Sequence, residues 1–141
     1  MSLYTTFQNA ALLILRIITA AIFFVAAWFK IPFWKGSHPE ITPTMLLITK
    51  ITSIAEPLGA LALLIGFLTR LAAGGLTIIM IGAIFVLQFM WNIGFVTPTS
   101  SGWNMPLMVL GGCVILMAFG AGDWSIDRGR NKGHVKWTRK V

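Results

Sequence analysis

The chain has 141 residues, 57% of them hydrophobic and only 11% charged, with a formal net charge of +7. A soluble domain carries about a quarter charged residues, so this chain cannot cover its own surface with polar groups, and hydrocarbon must be its solvent. Nor does the positive balance indicate nucleic acid: six of the eleven basic residues lie in the terminal stretch RGRNKGHVKWTRKV, with no base-reading scaffold beside them. Such a tail reads as a topology signal and a lipid-headgroup anchor.

Crossing the hydrocarbon takes roughly 20 apolar residues in a helix, and four stretches qualify. The first covers residues 10–29 and contains Arg16. It lacks a basic n-region and ends in bulky AAWFK rather than a small-residue cleavage site, so it reads as a retained helix, not a secretion signal. The connection after it, residues 30–44, holds Pro32, Pro39 and Pro43. These block a continuous helix and predict a short ordered cap.

The second span, residues 45–68, carries Glu56 about eleven residues in, near the bilayer centre at ~1.5 Å per residue. An ionised carboxylate facing lipid there costs at least ~2.5–3.5 kcal/mol, so Glu56 must face the bundle. Pro57 follows directly and predicts a bend. Helical spacing sets Thr49, Thr52 and Ser53 to one side of the acid and Gly59, Ala60, Leu63 and Gly66 to the other. The side toward Thr49 offers the wall of a cleft; the other offers close helix approach. Arg16 is the expected counter-charge, either snorkelling to the headgroups or reaching Glu56 as a bidentate pair. Lys30 shares the stripe of Arg16 and caps the first helix.

The third span, residues 71–91, follows the second after little more than Thr69 and Arg70, which makes the two antiparallel neighbours. Gln88, Trp91 and Asn92 share one of its faces by spacing. The fourth, residues 103–120, opens on Asn104 just ahead of Pro106, where an amide predicts a cap or an interhelical hydrogen bond. Its Cys113, the single cysteine, excludes an internal disulfide and reads as an inert buried thiol. An even number of spans puts Arg70 and the basic tail on one side, which the positive-inside rule makes cytoplasmic. Trp28, Trp34, Trp91 and Trp103 then mark the outer interface and Trp124 the inner one. The expected architecture is an all-α integral membrane protein of a prokaryotic cytoplasmic membrane. It is a four-helix antiparallel bundle over residues 1–127 with a basic tail at 128–141, both termini cytoplasmic.

Three segments carry a family likeness. LRIITAAIFFVAAWFK places an arginine early in the first helix and a lysine at its end. EPLGALALLIGFLTRLAA combines an acid, spaced glycines and a closing Gly, Thr and Arg. FGAGDWSIDR ends the chain's apolar part on Gly-x-Gly, then Ser, an aliphatic residue and Asp. In this order they resemble DoxX-type membrane proteins. The resemblance implies a four-helix membrane protein, often a small subunit or partner in membrane redox systems, one branch resembling a subunit of thiosulfate:quinone oxidoreductase. The family often has an acid where this chain has Asn104, so chemistry needing two carboxylates at that position is not implied.

These readings give two expectations of different class. One is a redox-linked subunit offering a quinone site, with Glu56, Arg16, Lys30, Ser53, Gln88, Asn104 and Trp34 as the binding residues. Glu56 or His38 would be the proton donor that quinone reduction needs. Electrons must come from a partner subunit, membrane or peripheral, because the chain has no dinucleotide-binding glycine fingerprint and no cluster ligands. The other is a non-catalytic structural or assembly subunit of a larger complex, packing through Gly74, Gly75 and Gly82. A small-solute or proton permease ranks last, for want of an inverted repeat or a broken helix pair beyond Pro57. No metal site is expected, and His38 and His134 fall on opposite sides of the membrane, too far apart to bracket a haem.

Overall fold

The structure is a computed structural model that describes residues 3–36, 39–98 and 101–127. His38, His134 and the tail at 128–141 lie outside the described residues. The described residues form four α-helices in order: α1, Leu3–Lys30; α2, Pro43–Ile65; α3, Thr69–Phe85; and α4, Asn104–Phe119. Among the described residues the sole extended pairing is a single bridge, Val96 to Ser101. Among the described residues three segments are long and apolar enough to cross a membrane, Thr5–Trp34, Pro43–Ile65 and Thr69–Met90. At 16 residues, α4 is ~24 Å long, a few ångströms short of the hydrocarbon thickness.

The helices pack in a ring, α1 chiefly on α2 and α3 chiefly on α4, with α2–α3 and α1–α4 contacts closing it. One end of the bundle carries the α1–α2 and α3–α4 connections and is called the loop end. The opposite end carries the α2–α3 turn, the start of α1 and the segment after α4, and is called the termini end. Phe23, Ala60, Leu63, Ala73, Leu76, Val109, Cys113 and Leu116 fill the centre. Cys113 is buried, as its apolar surroundings predict. A Cβ at Gly59 would lie 2.9 Å from Leu76, so this glycine sets the close approach of α2 and α3.

Helix boundaries follow local chemistry. The first helix begins several residues earlier than apolarity alone predicts, because polarity at Thr5, Thr6, Gln8 and Asn9 does not prevent helix formation. A 3-10 turn, Ile31–Trp34, continues it, with Pro32 near its start. Pro43 opens α2 at the first helical position, where its missing N–H costs nothing. Gly66 ends α2 in the left-handed region at φ 74°, its N–H donating to the Ala62 and Leu63 carbonyls. At the other extreme, α3 widens into a π-helical turn over Val86–Met90 before the chain leaves the helix.

The α2–α3 connection is therefore Gly66, Phe67 and Leu68 rather than Thr69 and Arg70. Leu68 is left-handed at φ 48°, an unfavourable conformation for leucine. Asp127 compensates: its carboxylate accepts from the Leu68 N–H (2.8 Å) and the Thr69 N–H (2.9 Å), capping α3 from across the chain. A Cβ at Gly66 would lie 2.6 Å from both Arg16 Nη2 and Ser125 Cβ, in a conformation that already disfavours it. Gly66→Ala is expected to cost about 2–4 kcal/mol, the sum of left-handed strain and overpacking. Unfolding in mild detergent with increasing dodecyl sulfate measures it; a shift below ~0.5 kcal/mol would contradict this packing.

Candidate functional site

The two intramembrane charges sit in different places. Glu56 is 1% exposed, and its Oε1 is bonded by the Lys30 ammonium, whose side chain reaches inward from the end of α1 and remains 26% exposed. The expected pair between Glu56 and Arg16 does not form. Arg16, also 1% exposed, instead donates to four backbone carbonyls at the termini end. They are Leu63 (2.7 Å) and Leu64 (2.7 Å) at the close of α2, and Ala121 (3.0 Å) and Trp124 (2.9 Å) after α4. Asp127 supplies the nearby opposite charge. Five planar donors suit a set of divergent carbonyls in a way no ammonium can. Snorkelling is overturned with the pair: the guanidinium turns inward.

The Arg16 knot unites residues whose roles the sequence does not disclose. Asn9 exchanges hydrogen bonds with Asp123, donating from Nδ2 to Oδ2 (2.9 Å) and accepting the Asp123 N–H (3.0 Å). Ser125 donates to the Gly122 carbonyl, and the Asp127 N–H donates to the Gly66 carbonyl. Arginine, the Gly–Thr turn and the Ser-x-Asp close are thus one structural unit that staples the segment after α4 to α1, α2 and α3. Every contact in it is intramolecular and satisfied except at the buried Thr69 hydroxyl oxygen, which has no hydrogen-bond partner among the described residues.

The loop end is less completely satisfied. Trp34 Nε1 donates to Ser53 Oγ (2.9 Å), folding the 3-10 turn back onto α2 above the Lys30–Glu56 pair. Lys50 lies over the Trp34 ring, 5.7 Å from its centroid, in a cation–π contact. The hydroxyls of α2 turn back on their own helix: Thr49 donates to Met45, Thr52 to Thr49 and Ser53 to Lys50. Pro57 has no N–H, so the Ser53 carbonyl lacks its helical donor. Glu56 Oε2 is buried with no partner among the described residues. An unpartnered buried carboxylate oxygen is expensive, and here it marks an open valence inside the bundle.

Four of the predicted binding residues, Lys30, Trp34, Ser53 and Glu56, therefore come together, and three do not join them. Arg16 belongs to the opposite end. Gln88 is exposed on the π-helical turn, and Trp91 and Asn92 lie beyond it, with Asn92 left-handed at φ 50°. The shared face of these three assumed an α-helical period, which the widened turn breaks. Asn104 is the first residue of α4 but does not cap it; the cap position is Trp103, with no side-chain hydrogen bond. The Asn104 Oδ1 is buried without a partner among the described residues. Lys50, which orders Trp34, was missed; its position one turn before Ser53 on the polar side of α2 was the available signal. Among the described residues no cluster of histidine, cysteine or carboxylate groups has the makings of a metal site.

The DoxX family model matches residues 11–89, more than half of the chain. The chain belongs to the DoxX family. The matched region contains the Lys30–Glu56 site entire, together with Arg16 and the Gly66–Thr69 turn. Inner membrane protein YqjF of Escherichia coli (strain K12) is similar to this DoxX chain at 30% identity over 133 residues, covering 92% of this chain and 97% of that protein. No solved structure matches. Membership and the apolar helices together make this DoxX chain an integral membrane protein.

Proposed function

We propose that this DoxX chain is a small membrane subunit of a redox system and holds a quinone-type ring at the Lys30–Glu56 site. The supporting observation is a buried carboxylate in mid-helix, paired on one oxygen and open on the other, beneath an exposed indole. Trp34 offers a flat face for a ring, and Glu56 with Lys30 forms a pair that can pass a proton to or from a ring oxygen. Lys30, being partly exposed, connects that pair to water. The electron pair is assigned to a partner protein, since the sequence has no dinucleotide-binding glycine fingerprint and no cluster ligands. Arg70 and the basic tail favour a cytoplasmic position for both termini, which sets the loop end and its site at the outer face. The name of the Escherichia coli relative supports a bacterial inner membrane.

The reading is tested on the protein purified with its partners in mild detergent and identified by mass spectrometry. Glu56→Gln is expected to keep assembly while lowering quinone-linked electron transfer by ~100-fold or more, the contribution of a positioned acid–base group. Unchanged electron flow in that variant would overturn the proposal.

One observation favours the structural reading instead. Gly75 and Gly82 of α3 and Gly111 of α4 are exposed, with open space where a Cβ would stand. Such positions admit the backbone of a helix from another subunit. Under this reading Gly82→Leu leaves the isolated bundle within ~0.5 kcal/mol of the parent but abolishes co-purification of the partner complex. Retention of the complex would remove the argument.

A further inference from the structure

We infer that the Lys30–Glu56 site selects the reduced, hydroxyl-bearing form of its ring, a quinol, over the oxidised quinone. The inference rests on the quinone reading above and specifies which redox form the site holds. The argument is a count of donors and acceptors around Glu56. Its Oε1 is taken by Lys30, while Oε2 is buried and has no partner among the described residues. As the partner of an ammonium, Glu56 is a carboxylate, and a carboxylate only accepts.

Of the three Lys30 N–H groups one meets Oε1, and no donor among the described residues is directed at Oε2. The Trp34 N–H is spent on Ser53, and the hydroxyls of Thr49, Thr52 and Ser53 are spent on carbonyls of α2. Pro57 adds a further acceptor by leaving the Ser53 carbonyl without its helical donor. What Oε2 lacks is an O–H or N–H directed at it, and a ligand can bring one. A quinone has carbonyl oxygens alone and leaves Oε2 as it is. A quinol places an O–H there, forming a charge-assisted hydrogen bond. Lys30 does not discriminate, because its ammonium can donate equally to a quinone or a quinol oxygen.

The experiment uses the full chain in lipid nanodiscs, under anaerobic conditions, with empty nanodiscs as the reference for partition into lipid. Three probes of one size are compared: a decyl-substituted 1,4-benzoquinone, its quinol, and the quinol's dimethyl ether, which has the ring oxygens but no O–H. Retained ligand is measured by mass spectrometry. The quinol is expected to bind about 10- to 100-fold more tightly than either of the others, the range for one hydrogen bond to a charged group. In Glu56→Gln the gap is expected to fall within ~3-fold, because an amide offers a donor as well as an acceptor. The comparison of probes on the unmodified chain stands even if that variant fails to fold. Equal binding of quinol and quinone, or tighter binding of quinone or the ether, overturns the inference and leaves the quinone reading intact. Retention of none of the three above empty nanodiscs overturns both.

Discussion

Arg16→Ala is expected to lower the stability of the bundle by about 3–5 kcal/mol, the cost of removing the charged partner of a buried polar network. The guanidinium ties the last turn of α2 to the segment after α4 through the carbonyls of Leu63, Leu64, Ala121 and Trp124. Truncation leaves those carbonyls short of donors and Asp127 without its nearby positive charge. It also leaves a cavity where the Arg16 side chain stood, the largest of the fully buried side chains among the described residues. Arg16→Lys is expected to recover little, since one ammonium cannot serve carbonyls on two sides as a planar fork does. The measurement is unfolding by dodecyl sulfate in mixed micelles, followed by tryptophan fluorescence. Trp124, whose backbone carbonyl accepts from Arg16, lies on the segment that the knot holds. A cost below ~1 kcal/mol for Arg16→Ala would show that the knot does not hold the termini end together.

The second large effect is an asymmetry between the members of the loop-end pair. Lys30→Met is expected to cost about 3–5 kcal/mol, because it leaves Glu56 buried, charged and alone. Glu56→Gln is expected to cost far less, within ~1 kcal/mol, because the freed Lys30 is already partly exposed and can turn to water. Combining the two should recover most of the loss from Lys30→Met, as replacement of a whole buried pair by neutral groups often does. The three variants and the parent form a double-mutant cycle, and the same unfolding assay reads it. Equal costs for the two single changes, with no recovery in the double, would mean that Glu56 does not depend on Lys30. The cycle also separates stability from function: a cheap Glu56→Gln that still loses electron transfer cannot be a folding defect.

The sequence exposes some parts of this architecture and conceals others. The widened π-helical turn at Val86–Met90 shows the limit on the fold side. Nothing in VLQFM distinguishes an extra residue in a turn from an ordinary helix, yet that residue rotates everything after it, and the shared face of Gln88, Trp91 and Asn92 disappears. Leu68 is another example, since a leucine in the left-handed region is unfavourable locally and is held there by Asp127 from 59 residues away. Lys50 went unread because a lysine on the polar side of a helix near a membrane surface is most simply a headgroup contact.

What the sequence by itself determined is that the protein lives in hydrocarbon, crosses it with apolar helices, and turns Glu56 inward. Each of these follows from transfer costs that belong to the residue and its immediate segment, so no neighbour is needed to evaluate them. Only the tertiary structure decided which cation meets which partner. Arg16 and Lys30 lie fourteen residues apart on α1, about 21 Å along the axis, and either is chemically fit to pair with a carboxylate. The choice depends on how high α2 stands against α1, and that height is set by the Gly66 turn, by Gly59 against Leu76, and by the carbonyls that capture Arg16. Those contacts bring Glu56 within reach of Lys30 and leave Arg16 one half-bundle away, fastening the opposite end.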